Sequence, residues 1–460
     1  MTFDPASASD APDAARANRD VPALVDRLFR EESARLVAGL ARVFGPAHLE
    51  LVEDVVQEAL VKALRIWPYA GVPARPDAWL VRVARNLAID ALRRGALEQH
   101  HLEEQRAEEV RRWADAQISG RAEADGAIAD DQLRLVFTCC HPSIPFDSRV
   151  ALTLKASCGF GVREIARAFL ADEPTIAQRL VRTKRRIREE RIRLEVPDES
   201  GLDARLDAVL EVVYLVFNEG YAAHAGEDLV RADLVHEAVR LGELLAAAPV
   251  THRPRVDALL ALMLFQGARI PARVDANGDV LTLAQQDRGL WNRSWLARGW
   301  KHFERSIDGA ELTAYHVECA IAACHARSPT YEATDWRAIL DRYDQLVALT
   351  PSPIVRLNRA VAVAKVHGLD AGLAALDGSE LERGRELGPA AVHEPGDRSR
   401  LDGYHLLPAT RGLFLWARGD APGAGQEFVR ALELARTAPE RRLLERRLAA
   451  ARAGLPAEPF

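Results

Sequence analysis

One run of side chains in this 460-residue chain is suited to reading a polyanion: Thr175, Gln178, Arg179, Arg182 and Arg186. On a helix these positions share one face. Arg grips guanine edges or phosphate, and Gln pairs with adenine. The opposite face, Ile176, Leu180, Thr183 and Ile187, is suited to packing. Downstream, Lys184 to Arg193 is a basic tail of the kind that tracks phosphates and makes binding salt-dependent. The local charge agrees. Between Arg149 and Arg193 twelve Lys/Arg stand against five Asp/Glu, whereas residues 96–131 hold ten acids against four bases, in a chain of net charge −6. A basic island in an acidic chain is the electrostatic footprint of a polyanion-binding module.

Two further groups have chemistry in their spacing. Asp54, Gln57 and Glu58 lie at i, i+3 and i+4, so a helix would place them on one exposed face. Such an acidic and amide patch can dock on basic helices of a partner. Arg82, Arg85, Asn86 and Arg93 form a stripe opposite Trp79, Val83 and Leu87, with Trp67 and Tyr69 beside a loop rich in Pro68, Pro73 and Pro76. Aromatics next to Arg and Asn make a stacking and backbone-binding surface for unpaired bases. For Trp67 and Trp79 alone, core packing is the favoured role.

Other chemistry is missing. Asp275-Ala-Asn277-Gly278-Asp279 resembles a calcium loop, but Val280 and Gln286 stand where Gly and Glu are required, so it reads as a polar turn. His316 and Cys319 share a helical face from which Cys324 and His325 rotate away, so no zinc site is expected. Cys139-Cys140-His141 lacks the CxxC spacing and reads as buried thiols near a helix end. There is no phosphate-binding loop, dinucleotide fingerprint or nucleophile elbow. The expectation is no enzyme, no catalytic residue, no metal and no cofactor.

The elements that must hold these residues are helices. Val52, Val55, Val56, Ala59, Leu60 and Ala63 follow the helical period, and nearly every long segment does likewise. The best strand signal is Val280 to Leu283 after Asn277-Gly278, which predicts a small hairpin. The fold class is all-α. Around the polyanion-reading run, Arg149 to Cys158 predicts one helix and Val162 to Leu170 a second. A turn Ala171-Asp172-Glu173 follows, then a third helix from Pro174 to about Arg188. That spacing is a helix-turn-helix. No run of about 18 apolar residues exists, so no membrane span is expected. Five cysteines, an odd and sparse set, favour a reducing compartment, so the cytoplasm is the expected location.

These motifs carry a resemblance. Asp54-Val-Val-Gln57-Glu58 resembles the polymerase-docking motif of sigma factor region 2, and Trp79 through Arg94 resembles the promoter-melting and −10 helix of the same region. Glu164-Ile-Ala and Thr175-Ile-Ala-Gln-Arg179-Leu-Val-Arg182 resemble region 4. Both regions in this order, with neither region 1.1 nor region 3, look like the extracytoplasmic-function branch of the sigma-70 family. The resemblance implies that Asp54, Gln57 and Glu58 meet the β′ clamp helices of core RNA polymerase. It implies that Trp79, Arg82, Arg85, Asn86, Asp90, Arg93 and Arg94 line the −10 strand. It implies that Thr175, Gln178, Arg179, Arg182 and Arg186 contact the −35 duplex, with the β flap as a further polymerase contact. The Asp172-Glu173-Pro174 turn departs from the family, which often has Gly and small polar residues there.

The expected domains are a disordered leader (1–21), sigma region 2 (22–95), an acidic linker with some helix (96–129), a region 4 helix-turn-helix (130–195) and a larger helical extension (202–460). In the extension, Pro353 to Val366 ends at Gly368. Leu406 to Arg418 ends at Gly419-Asp420 and is followed by Gly425 to Arg436. Paired helices with Gly turns and small packing residues resemble tetratricopeptide repeats, without a strict period. Leu215 to Tyr221, Ala268-Arg269, Gln286-Asp287-Arg288, Thr334-Asp335-Trp336 and Ser352 to Ala360 look like motifs of sigma factors with such an extension. The resemblance implies a regulating or supporting role, with a protein or ligand as the extension's partner and promoter DNA and core polymerase as the main partners. Two other classes stay open at this level. One is a helix-turn-helix activator with a ligand- or protein-sensing helical domain; the other is an enzyme or scaffold with a DNA-binding arm.

Overall fold

Helices account for nearly all regular structure in this computed structural model, which describes residues 32–95, 100–119, 122–169, 171–221, 230–275, 277–377 and 404–459. The expected leader lies outside the described residues. The all-α expectation is met: among the described residues the strand signal reduces to one antiparallel bridge, Val274 with Val280. Asp275 explains why the hairpin goes no further. Its carboxylate accepts from the backbone N–H of Asn277 (2.8 Å) and Asp279 (2.9 Å), closing a polar turn on itself.

The chain forms two compact units that part within one helix, at Val209–Leu210. The first begins with α1 (32–44), α2 (Leu49–Ala70) and α3 (Pro76–Gly95). In α2 the periodic residues Val52, Val55, Val56, Ala59, Leu60 and Ala63 are all buried. Gly71, at φ 81°, ends the helix in a conformation that side chains rarely adopt. Trp67 is buried and meets half-buried Trp79 edge-on, with ring centroids 5.3 Å apart.

The stretch expected to be an acidic linker contains two helices, α4 (His100–Ser119) and α5 (Ala122–Cys139). Val110, Trp113 and Ala114 of α4 are buried. They sit at i, i+3 and i+4, one stripe dominated by a single indole, which buries as much surface as several smaller side chains. Gly39 of α1 makes room for that indole: a Cβ there would lie 2.2 Å from Trp113 Nε1. Arg75 donates to the Ile118 carbonyl oxygen (2.9 Å), and Arg85 pairs with Asp115 (3.2 Å). Further on, Arg42 reaches Asp131 at 3.0 Å. The unit continues through α6 (Phe146–Ser157), α7 (Val162–Ala168), α8 (Glu173–Glu189) and the start of α9 (Glu199–Tyr221).

The second unit runs from the rest of α9 through α10 (Ala232–Ala247), α11 (Pro254–Gly267), α12 (Arg293–Ser306), α13 (Ala314–Arg327) and α14 (Trp336–Leu349). It ends with α15 (Pro353–His367), α16 (Leu369–Leu376), α17 (Leu406–Arg418), α18 (Ala421–Leu434) and α19 (Ala438–Arg452). From α10 onward each helix packs on its neighbour in sequence, and α11, apolar nearly all round, also packs on α13. α17 ends at Gly419 in the left-handed region, φ 95°. α18 starts at Ala421, ahead of the expected Gly425, because Asp420 caps it by accepting from Gly423 N–H at 2.9 Å and Pro422 fits the first turn.

The packed position of α4 is open to test. Trp113→Ala should lower the unfolding free energy by about 3–5 kcal/mol in urea titration, and a loss under about 1 kcal/mol would mean that α4 is not part of the core.

Candidate nucleic-acid interface

The α7–α8 pair is held by local contacts. Gly161 N–H donates to Glu164 Oε2 at 2.7 Å, fixing the start of α7. Ala171 N–H donates back to the Ala166 carbonyl oxygen at 2.9 Å, closing its end. Asp172 is extended and α8 begins at Glu173, one residue ahead of the expected Pro174, while α7 ends at Ala168, ahead of the expected Leu170. Pro174 occupies the first turn of α8, where its missing N–H costs nothing. Arg163 reaches Glu173 across the turn at 3.7 Å. Ile165 and Ala166 of α7 are buried, as are Ile176, Leu180, Thr183 and Ile187 of α8.

That buried stripe aims the other face outward. Thr175, Gln178, Arg182 and Arg186 are exposed and Arg179 is half-buried. All five line one cleft of about 360 Å³, closed on its other side by Pro145 and Ser148 at the start of α6. Arg179 leans toward Asp147 at 3.8 Å, and Arg186 is engaged by Glu190 at 2.7 Å. Arg182 has no carboxylate within ion-pair distance among the described residues.

The basic tail needs one correction. Lys184 does not face solvent: its Nζ meets Glu53 Oε2 of α2 at 2.8 Å, with the two side chains only 14% and 7% exposed. The other carboxylate oxygen, Glu53 Oε1, is buried without a hydrogen-bond partner. Lys155 of α6 also feels this carboxylate. Burial pushes its ammonium below the usual range, and Glu53 opposes that shift. The helix that presents Thr175 to Arg186 is thus tied to the helix that presents Asp54, Gln57 and Glu58. All three of those are exposed on α2, next in line to buried Glu53, and Glu58 meets Lys62 at 3.4 Å.

On α3, Arg82, Asn86, Asp90 and Arg93 are exposed and form the expected stripe. Arg85 is half-buried, held by Asp115 and by Asn86 Oδ1 at 3.3 Å. The side chain of Arg94 lies outside the described residues. The three aromatics separate. Trp67 belongs to the core, Trp79 is half-buried against it, and Tyr69 is 91% exposed at the end of α2. Tyr69 stands out only in the structure, since its sequence neighbours Trp67 and Pro68 give no sign of which aromatic faces out.

The remaining candidates are structural. Cys139 and Cys140 are fully buried, and burial pushes the Cys139 thiol well up. His316 is buried and accepts from Thr313 N–H at 3.0 Å, capping α13. The His325 ring meets Trp336 edge-on at 5.5 Å. Among the described residues no group of three or more His, Cys, Asp or Glu is placed to hold a metal.

Residues 29–97 match Sigma-70 region 2, and the match contains the whole of α2 and α3. This region supports a sigma-70 family factor. Residues 205–307 match a family of unknown function (DUF6596). An uncharacterized protein of Rhizobium meliloti (strain 1021) is 39% identical over 417 residues, covering 90% of this chain and 93% of its own. The two proteins therefore share one family along almost their whole length, and that relative adds no activity by name. Among the described residues no helix is long and apolar enough to cross a membrane.

Removing one side of the buried pair should be costly. Lys184→Met should lose about 3–5 kcal/mol of unfolding free energy, because Glu53 is left buried and unpaired. Adding Glu53→Leu should recover most of it in the same urea titration. Equal stability of the single variant and the parent would show that Glu53 does not depend on Lys184.

Proposed function

We propose that this chain is an RNA polymerase sigma factor of the extracytoplasmic-function kind, which binds core polymerase and directs it to −35/−10 promoters. The observation that carries the reading is the pairing, in one chain with a sigma-70 region 2, of the exposed Asp54/Gln57/Glu58 face and the α7–α8 pair presenting Thr175 to Arg186.

On this reading Asp54, Gln57 and Glu58 dock on the β′ clamp helices. Arg82, Arg85, Asn86, Asp90 and Arg93 line the unpaired −10 strand, with Arg94 next to them and Trp79 behind as a support. An exposed Tyr69 adds a ring on which a base can stack. The helix-turn-helix formed by α7 and α8 enters the −35 major groove, where Thr175, Gln178 and Arg179 meet base edges and Arg182 and Arg186 meet phosphate. The β flap holds this second module. Residues 22–95 act as region 2 and 130–195 as region 4. Residues 96–129 join them, and 202–460 form a tetratricopeptide-like extension that regulates or supports initiation. Sequential helix-on-helix packing from α10 onward supports that last assignment. No step needs a catalytic group, so the chain works by positioning rather than turnover. Five free thiols support a cytoplasmic location.

The docking role is tested with full-length protein and purified core polymerase. Asp54→Ala with Glu58→Ala should weaken binding at least about tenfold, each lost charge-assisted contact accounting for roughly 1.5–3 kcal/mol. Circular dichroism should be unchanged, since both side chains are exposed. Unchanged polymerase affinity, together with tight binding of duplex DNA in the absence of polymerase, would favour a helix-turn-helix activator instead.

A further inference from the structure

The second unit gathers three arginines that have no carboxylate within ion-pair distance among the described residues. Arg269 and Arg273 follow the end of α11, and Arg288 opens the 3-10 turn Arg288–Leu290. Other arginines of this unit are neutralised: Arg446 by Asp279 (2.7 Å), Arg255 by Glu311 (2.7 Å), Arg359 by Asp344 (2.6 Å). The three in the cluster are held by rings and carbonyls instead. The Arg273 guanidinium lies over the Tyr221 ring, 3.8 Å from its centroid, and donates to the Tyr221 carbonyl oxygen. Arg288 lies 4.7 Å over Trp291 and donates to the carbonyl oxygens of His325 (2.6 Å) and Ser328 (2.5 Å). Arg269 lies 5.8 Å over the same indole, with Nε directed at Gln286 Oε1 at 3.4 Å. Rings and carbonyls orient a guanidinium while leaving its charge in place.

Arg269 is central, since its charge acts on Arg273, Arg288, Tyr221 and His325. Burial, then Arg269 and Arg288, hold the His325 imidazole down to about 3, so it is neutral at physiological pH. Glu332 and Glu440 act on Arg288 and Arg273 only from beyond ion-pair distance. Around the cluster three buried polar atoms have no hydrogen-bond partner: Arg288 Nη2, Trp291 Nε1 and His325 Nδ1. Two of these are obligate donors. Buried donors without acceptors are rare in folded proteins; two of those in the described residues lie at this cluster, with others at Trp67 Nε1 and at the Nε atoms of Arg205, Arg255, Arg356 and Arg411. Arg269, Arg273 and Arg288 are half-buried.

We propose that this cluster is a binding site for a phosphate group, on a small phosphorylated ligand or as free polyphosphate. Three guanidinium forks present more donors than one carboxylate can accept, and they match the tetrahedral oxygens of a multiply charged phosphate. The rings are already covered by arginines, so the site reads the anion rather than a base. The three arginines, Tyr221 and Trp291 all fall within residues 205–307, the part that matches the family of unknown function. The site belongs to the second unit alone and does not depend on the function proposed for the first. It gives the extension an input: a phosphate group, free or carried by a small molecule.

The test is calorimetric titration of full-length protein at constant ionic strength with sodium pyrophosphate, ATP and citrate. Pyrophosphate or ATP should bind at one site, and Arg269→Gln should weaken that binding at least about tenfold. Arg446→Gln, which alters an arginine already paired with Asp279, should leave it unchanged. Tighter binding of ATP than of pyrophosphate would identify a phosphorylated ligand, and equal binding would identify the phosphate alone as what is read. Should Arg269→Gln fail to fold, Arg269→Lys keeps the charge, loses the fork, and should show the same weakening. Citrate binding as tightly as pyrophosphate, no binding of any phosphate, or equal binding by parent and both Arg269 variants would overturn the proposal.

Discussion

Burial of Ile176, Leu180, Thr183 and Ile187 decides where every charge on α8 points. Once that stripe is packed, Thr175, Gln178, Arg182 and Arg186 have no direction but outward, and Arg179 lies along the rim with Asp147. Lys184, one position from the stripe, is turned inward and must find an anion there. It finds Glu53 on α2, more than a hundred residues away in sequence. A buried ion pair is a weak source of net stability, because desolvation offsets most of the attraction. Its effect here is registry. It fixes α8 against α2, so the face carrying Asp54, Gln57 and Glu58 and the face carrying the arginines belong to one packed body, the first unit.

The second unit solves a different problem. Its core is a succession of small-into-large contacts, such as Gly412 against Phe428 and Gly267 against Trp295, where a Cβ would fall 2.9 and 2.3 Å from the ring. Close helix approach of that kind packs each helix on its neighbour in sequence. The Arg269, Arg273 and Arg288 cluster is set apart, since its guanidinium groups are held by rings and carbonyls with no carboxylate within ion-pair distance among the described residues. Most long-range charge in the unit is matched, as where Arg442 and Arg446 converge on Asp279. The exception marks where an external anion has something to neutralise.

Much of this architecture is legible in the residues. Stripes repeating every three or four positions announce α2, α3 and α8, and Gly368 and Gly419 mark helix ends where the backbone turns to positive φ. The exposed faces of α2 and α8 follow from the same periodicity. What escapes is whatever depends on distance in sequence. Some helix is expected in residues 96–131, but its charge hides that this helix packs through Trp113 into the gap left by Gly39. Lys184 looks like one more basic residue until Glu53 appears beside it. The arginine cluster draws on residues 221 to 325, and no local pattern brings them together. Which of Trp67, Tyr69 and Trp79 faces outward depends on how α2 meets α3, and spacing alone does not say.

The most direct measurement is run-off transcription by core polymerase supplied with the full-length protein, over a library of randomised promoter templates. The account predicts specific transcripts whose templates share spaced −35 and −10 elements, with none from core polymerase alone. Absence of initiation from every template, while the protein still shifts duplex DNA by itself, would contradict it.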